Sequence, residues 1–258
     1  MVSWSFSRGA TTRLIAAAIG LACQLGIEPA RAQPQSCPSE TSVRVDYRHA
    51  LPHVAAKLAG GGPVRVVTLG SSSTAGFGAS SADHSYPTRL GELLAQAFRN
   101  DQIEVINSGI NGQNAEEMVA RLYHDAIEEG ADLVIWQTGT NDAVSRIDPE
   151  KFRDHLERGI AWLAEAGIDL ILMDPQFYPG LRSQPVYERY VEVMRETAAR
   201  HDVPLFPRYE LMRHWASLSP PPAFLSDDRF HLNDDGYACI AELVAAMIIH
   251  AVRDGPQT

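Results

Sequence analysis

From residue 64 onward, short apolar runs alternate with longer segments whose apolar residues recur every three or four positions. The runs at 64–69, 102–107, 132–137, 168–173 and 203–206 are bounded by turn residues and have the length of buried strands. The segments at 86–99, 114–129, 149–166, 185–201 and 234–253 each carry an apolar stripe, as helices lying on a sheet do. In the last of them Tyr237, Ile240, Ala241, Val244, Met247, Ile248 and Ala251 follow the i, i+3, i+4, i+7 spacing, which assigns Met247 to core. Strand and helix in alternation, joined by right-handed crossovers, predict a parallel sheet with helices on both faces.

Local chemistry fixes several boundaries. Asp46 to Ala59 carries Tyr47, Leu51, Val54, Ala55 and Leu58 at helical spacing, and Gly60-Gly61-Gly62-Pro63 ends that helix before the first strand. Asn114 with Glu117 three residues on forms a capping-box pattern, and Asp148-Pro149 supplies an N-cap followed by proline at the first helical position.

The first 32 residues have a different character. Arg8 and Arg13 precede an apolar stretch from Leu14 to Leu25, and Ala30-Arg31-Ala32 is a small-x-small cleavage site, so residues 1–32 are expected to be a cleaved export signal. Gln24 interrupts the stretch before it reaches the length of a membrane span. Lipidation at Cys23 is a minor alternative, because Gly20 stands where such signals usually carry a larger apolar residue. Residues 33–258 are then one domain with a polar arm at 33–46, in the periplasm or outside the cell, with no transmembrane segment left and a monomeric state expected. Losing Arg8, Arg13, Arg31 and Glu28 takes the net charge from −10 to −12, and with no Lys/Arg cluster this excludes nucleic acid as a partner. Cys37 and Cys239 remain, an even count that permits a disulfide in an oxidising compartment.

In a parallel sheet the loops that follow the strands emerge at one edge. Three of them contain hydroxyl, glycine and amide groups: Gly70-Ser71-Ser72-Ser73, Asn107-Ser108-Gly109-Ile110-Asn111-Gly112, and Gly139-Thr140-Asn141-Asp142. The serine run leaves the nucleophile open. Near the carboxyl end, Asp228 and His231 are spaced so that a carboxylate can accept from imidazole Nδ1–H and leave Nε2 free to take a proton; Asp227 is the rival partner. Phe77, Phe177 and Tyr178 lie in loops at the same edge as candidate substrate-binding residues, whereas Trp136, inside a strand, reads as core.

These blocks, in this order, resemble the SGNH or GDSL-type serine hydrolases from about Val64 to the last helix. The resemblance implies a flavodoxin-like three-layer α/β/α sandwich, a five-stranded parallel sheet of order 2-1-3-4-5, and ester hydrolysis without metal or cofactor. It selects Ser72 as nucleophile through Gly70-x-Ser72-x-Thr74-x-Gly76 and makes Asp228 and His231 its partners. The oxyanion hole it implies is the backbone N–H of Ser72 and Gly112 with the Asn141 amide, Gly109 being the alternative to Gly112. One departure stands out: the acidic residue usually found before the nucleophile is Ser71 here, read as keeping a loop hydrogen bond. The partner implied is a small-molecule or glycan ester, with short acyl groups first and thioesterase, lysophospholipase or sugar O-acetyltransferase chemistry as alternatives. A flavodoxin-like binding module with a dead triad is the non-enzyme alternative. No Cys-x-x-Cys or His-Glu-x-x-His spacing suggests a metal, no Gly-Lys-Ser/Thr loop a nucleotide, and no Gly-x-Ser-x-Gly elbow an α/β-hydrolase.

Overall fold

The computed structural model describes residues 1–2, 37–38, 50–99, 102–180 and 184–253. Most of the expected export signal and most of the polar arm lie outside the described residues.

Five parallel strands form one sheet: β1 Val64–Gly70, β2 Ile103–Gly109, β3 Leu133–Gln137, β4 Asp169–Met173 and β5 Leu205–Phe206, in the order β2-β1-β3-β4-β5. All pairs are parallel, so every strand ends at one edge. The helices are α1 Pro52–Ala59, α2 Ser72–Ala75, α3 Tyr86–Phe98, α4 Ala115–Leu122, α5 Thr140–Val144, α6 Pro149–Glu165, α7 Gln184–Arg200, α8 Arg208–Ser217 and α9 Asp234–Arg253. The arrangement is the three-layer α/β/α sandwich with strand order 2-1-3-4-5.

Strand alternation builds the two halves of the core. Val64, Val66, Leu133, Ile135, Ile171 and Met173 share one cluster with Leu90, Leu94 and the buried stripe of α9. Val67, Leu69, Val134, Trp136, Leu170 and Leu172 share the other with Met118, Leu122, Phe152, Leu156 and Val193. Successive strand residues point to opposite faces, so one sheet feeds both clusters. Trp136 is fully buried and its indole N–H meets the Met118 sulfur, as its strand position predicts. The α9 helix is long and apolar enough to span a bilayer, yet Tyr237, Ile240, Val244, Met247 and Ile248 are all buried in the first cluster. Cys37 is joined to Cys239 of α9 with Cα atoms 5.1 Å apart, which is within disulfide range.

Boundaries differ from expectation where pairing or packing overrides local signals. β2 runs on to Gly109 because Ser108 and Gly109 pair with Leu69 and Gly70, although Asn-Ser-Gly reads as a turn. The segment expected as a single helix from 114 to 129 is α4 followed by a π-helical turn, Tyr123–Glu128. The α1 helix starts at Pro52; residues 46–49 of the expected helix lie outside the described ones. Both predicted caps form: Asn114 accepts from Glu117 N–H while Glu117 accepts from Asn114 N–H, and Asp148 accepts from Glu150 N–H.

Candidate active site

Ser72 is the first residue of α2, directly beyond the end of β1. Donors in a helix's first turn have no intrahelical acceptor, and the Ser72 N–H finds none among the described residues. The turn is tight enough to demand glycine nearby. A Cβ on Gly109 would lie 2.1 Å from the Ala75 nitrogen, so only a bare backbone lets the end of β2 pass α2. Gly78, at φ +94°, lies under the opposite loop, where a Cβ would come within 2.5 Å of the Leu232 carbonyl oxygen.

That opposite loop brings in the imidazole. His231 Nε2 is 2.8 Å from Ser72 Oγ, and His231 Nδ1 is 2.6 Å from Asp228 Oδ2. The other carboxylate oxygen, Oδ1, accepts from Ser226 Oγ at 2.7 Å and from the Phe230 and His231 N–H groups at 2.9 Å. Burial pushes the Asp228 carboxyl up, but the His231 side chain and these donors outweigh it and hold the group well below the usual carboxylate range. Asp227 is exposed and borders a different cavity.

At the carboxyl end of β3, Asn141 in α5 donates from Nδ2 to the Gln113 carbonyl at 2.8 Å. This places its amide against the Gly112-Gln113 segment and leaves a second N–H on the same nitrogen. Gly112 holds φ +80° with open space around it, and its N–H donates to no acceptor among the described residues. Arg121 ties this segment down: its guanidinium reaches the Gly70 carbonyl at 3.0 Å, the Ser108 carbonyl at 2.9 Å and Gln113 Oε1 at 2.7 Å. Asp142 is buried and accepts from the Ala115 N–H, and desolvation, only partly offset by that bond, pushes its carboxyl up to about 6.

The candidate substrate residues separate. Phe77 is half exposed, with its ring 4.6 Å from that of His231 and its carbonyl taken by the Tyr237 hydroxyl. Tyr178 packs edge-on against Phe230 rather than against Ser72 or His231. Phe177 meets Tyr209 and lines a cavity of about 460 Å³ with Met212, Trp215 and Phe224, which neither Ser72 nor His231 borders.

Two residues absent from every motif hold the surroundings of Ser72. Gln137 Oε1 accepts from Ser71 N–H and Ser71 Oγ at 3.2 Å and from Thr74 Oγ1 at 3.1 Å. Gln176 bonds to both sides of the Ser72–His231 pair. The available signal was a polar residue closing an apolar strand, as in Leu-Val-Ile-Trp-Gln137, or standing just beyond one, as in Asp174-Pro175-Gln176.

A parallel sheet in this order, with its loops at the carboxyl edge, is the broad esterase/lipase fold of the SGNH-hydrolase superfamily. The chain belongs to the non-GDSL lipase-like family, which it matches over residues 36–254. This corrects the GDSL-type label, and position 71 supplies a physical reason. The acid of that motif is a serine here, satisfied by Gln137. An arylesterase of Vibrio mimicus is 23% identical over 72% of this chain and 88% of its own length. Thioesterase 1/protease 1/lysophospholipase L1 of Escherichia coli K12 is 23% identical over 71% of this chain and 82% of its own. The crystal structure of an acetyl xylan esterase superposes with a TM-score of 0.63 at 23% identity, covering 72% of this chain and all of that one.

Proposed function

We propose that this protein is an exported serine esterase that hydrolyses short-chain carboxylic esters, including acetyl groups on carbohydrate, through an acyl-Ser72 intermediate. The observation that carries the reading is the continuous chain Ser72 Oγ, His231 Nε2, His231 Nδ1, Asp228 Oδ2, with links of 2.8 and 2.6 Å. His231 takes the Ser72 proton as Oγ adds to the ester carbonyl, and Asp228 stabilises the imidazolium that forms. The oxyanion is received by the N–H groups of Ser72 and Gly112 and the second N–H of Asn141. Collapse of the adduct expels the alcohol, which takes the proton from His231. Water, deprotonated by the same base, then releases the acid and restores Ser72.

Short acyl groups are favoured because neither Ser72 nor His231 lines the apolar cavity beside Phe177, and the Phe77 ring stands 4.6 Å from that of His231. The names of relatives span the range, from the arylesterase and the acetyl xylan esterase to the thioesterase and lysophospholipase. Export accounts for the charged, apolar and small-residue pattern of residues 1–32 and for the Cys37–Cys239 bridge, a bond that persists in oxidising compartments. A series of p-nitrophenyl esters from acetyl to dodecanoyl, run on residues 33–258, tests the substrate class. The expected kcat/KM is highest for acetyl or butanoyl; faster turnover of dodecanoyl would move the protein to the lipid reading.

A further inference from the structure

We propose that Gln176 is a positioning residue that holds the nucleophile, the base and the oxyanion donor in mutual register; this rests on the esterase reading. Gln176 is buried, three residues past the end of β4. Its Oε1 accepts from Ser73 Oγ at 2.9 Å, and its Nε2 donates to the Phe230 carbonyl at 3.0 Å. Its backbone N–H donates to Thr140 Oγ1 at 3.2 Å, and its carbonyl accepts from the Tyr187 hydroxyl at 2.7 Å. Ser73 follows Ser72, Phe230 precedes His231 and Thr140 precedes Asn141. One residue therefore bonds to the sequence neighbour of each of three reacting groups.

The chemistry of the amide explains the choice of glutamine. One planar group must accept from a hydroxyl on one side and donate to a carbonyl on the other, which an amide does at any pH. An ionised glutamate can accept from Ser73 but sets a second acceptor against the Phe230 carbonyl. A methionine fills the volume and makes neither bond. Ser72, at the start of α2, and His231, on a loop, are 159 residues apart in sequence, so the length of their hydrogen bond depends on how those two segments are braced. Gln176 is such a brace, and it touches no reacting atom.

The test measures the rate constant of covalent labelling by a fluorophosphonate, steady-state kinetics on p-nitrophenyl acetate, and melting temperature. The proteins are wild type, Ser72→Ala, Gln176→Met and Gln176→Glu. Gln176→Met is expected to lower both kcat and the labelling rate by about 10- to 100-fold, the scale of a sub-ångström to 1 Å misplacement. KM should stay within about twofold, because ground-state binding is not what the brace supports. For Gln176→Glu, activity relative to wild type should rise as pH falls, since the protonated carboxyl regains a donor for the Phe230 carbonyl. A folded Gln176→Met that labels at the wild-type rate, or whose loss lies in KM, overturns the proposal while leaving the esterase reading intact. If Gln176→Met does not fold, a pH-independent activity ratio for Gln176→Glu overturns it. Labelling of Ser72→Ala would instead remove the reading on which it rests.

Discussion

Two aspartates flank the candidate site, and their surroundings push them in opposite directions. Asp228 stands on the loop Ser226–Leu232 with its side chain 37% exposed, facing an imidazole. Asp142 lies in α5 next to Asn141, 1% exposed, with the backbone N–H of Ala115 as its partner. Both carboxyls pay for leaving water. At Asp228 the donors outweigh that and its carboxyl is held ionised; at Asp142 desolvation wins and the group is raised to about 6. A carboxylate's role thus follows from what its lone pairs face. Asp228 keeps one oxygen for His231 Nδ1 and uses the other to fold its own loop, whereas Asp142 joins α5 to the start of α4.

The largest effect is expected from Asp228→Asn. The asparagine carbonyl can replace Oδ1 and keep the bonds to Ser226, Phe230 and His231, so the loop should retain its shape. Its NH2 then faces His231 Nδ1, forcing that nitrogen to accept and placing the ring proton on Nε2, where Ser72 needs an acceptor. A fall in kcat of about 10³–10⁴-fold with unchanged melting temperature is the expected outcome. A variant within tenfold of wild type would strip Asp228 of its role in the chemistry.

Next is Asn141→Ala, which removes a donor that matters chiefly once charge has developed on the carbonyl oxygen. The expected loss is about 10²–10³-fold in kcat with KM nearly constant. Asn141→Asp should do at least as much damage by setting an acceptor where a donor is required. If activity and melting temperature fall together, Asn141 only shapes its loop through Gln113.

Asp142→Asn should leave turnover almost unchanged and alter the pH dependence of stability instead. With its carboxyl raised from 3.8 to about 6, folded Asp142 binds its proton more tightly than the unfolded chain does. Its stabilising contribution is therefore fully present below about pH 4 and is lost as pH rises through about 6. Against Asp142→Asn, the wild type should lose about 2–3 kcal/mol of stability between pH 4 and 7, read as a widening difference in melting temperature. A difference that narrows over that range, or a large kcat loss, would place Asp142 with Asp228 instead.

The sheet and the long helices were legible because each strand alternates between two apolar faces and each long helix carries one stripe, as α9 does from Tyr237 to Ala251. α2 and α5 were not legible: at four and five residues they are too short for a period, and Ser-Ser-Thr-Ala and Thr-Asn-Asp-Ala-Val read as turns. α8 was hidden because its buried side includes Arg208, whose charge breaks the apolar stripe. At the site, residues that form local patterns could be found: Asp228 and His231 sit three apart, and Ser72 lies in a small-residue run. Gln137 and Gln176 could not, since each is a lone amide whose side-chain partners lie between 54 and 103 residues away. The Ser71 departure is the visible trace of Gln137, because a serine there can donate where the usual acid would accept.

The central claim is that Ser72, among three adjacent serines, is the activated nucleophile. Intact-mass spectrometry after fluorophosphonate treatment of wild type, Ser71→Ala, Ser72→Ala and Ser73→Ala tests it most directly. The structure places Ser72 Oγ against the imidazole, while Ser71 Oγ bonds Gln137 and Ser73 Oγ bonds Gln176. One adduct is therefore expected on wild type, Ser71→Ala and Ser73→Ala, and none on Ser72→Ala. An adduct that persists on Ser72→Ala, or is lost from folded Ser71→Ala, would contradict the account.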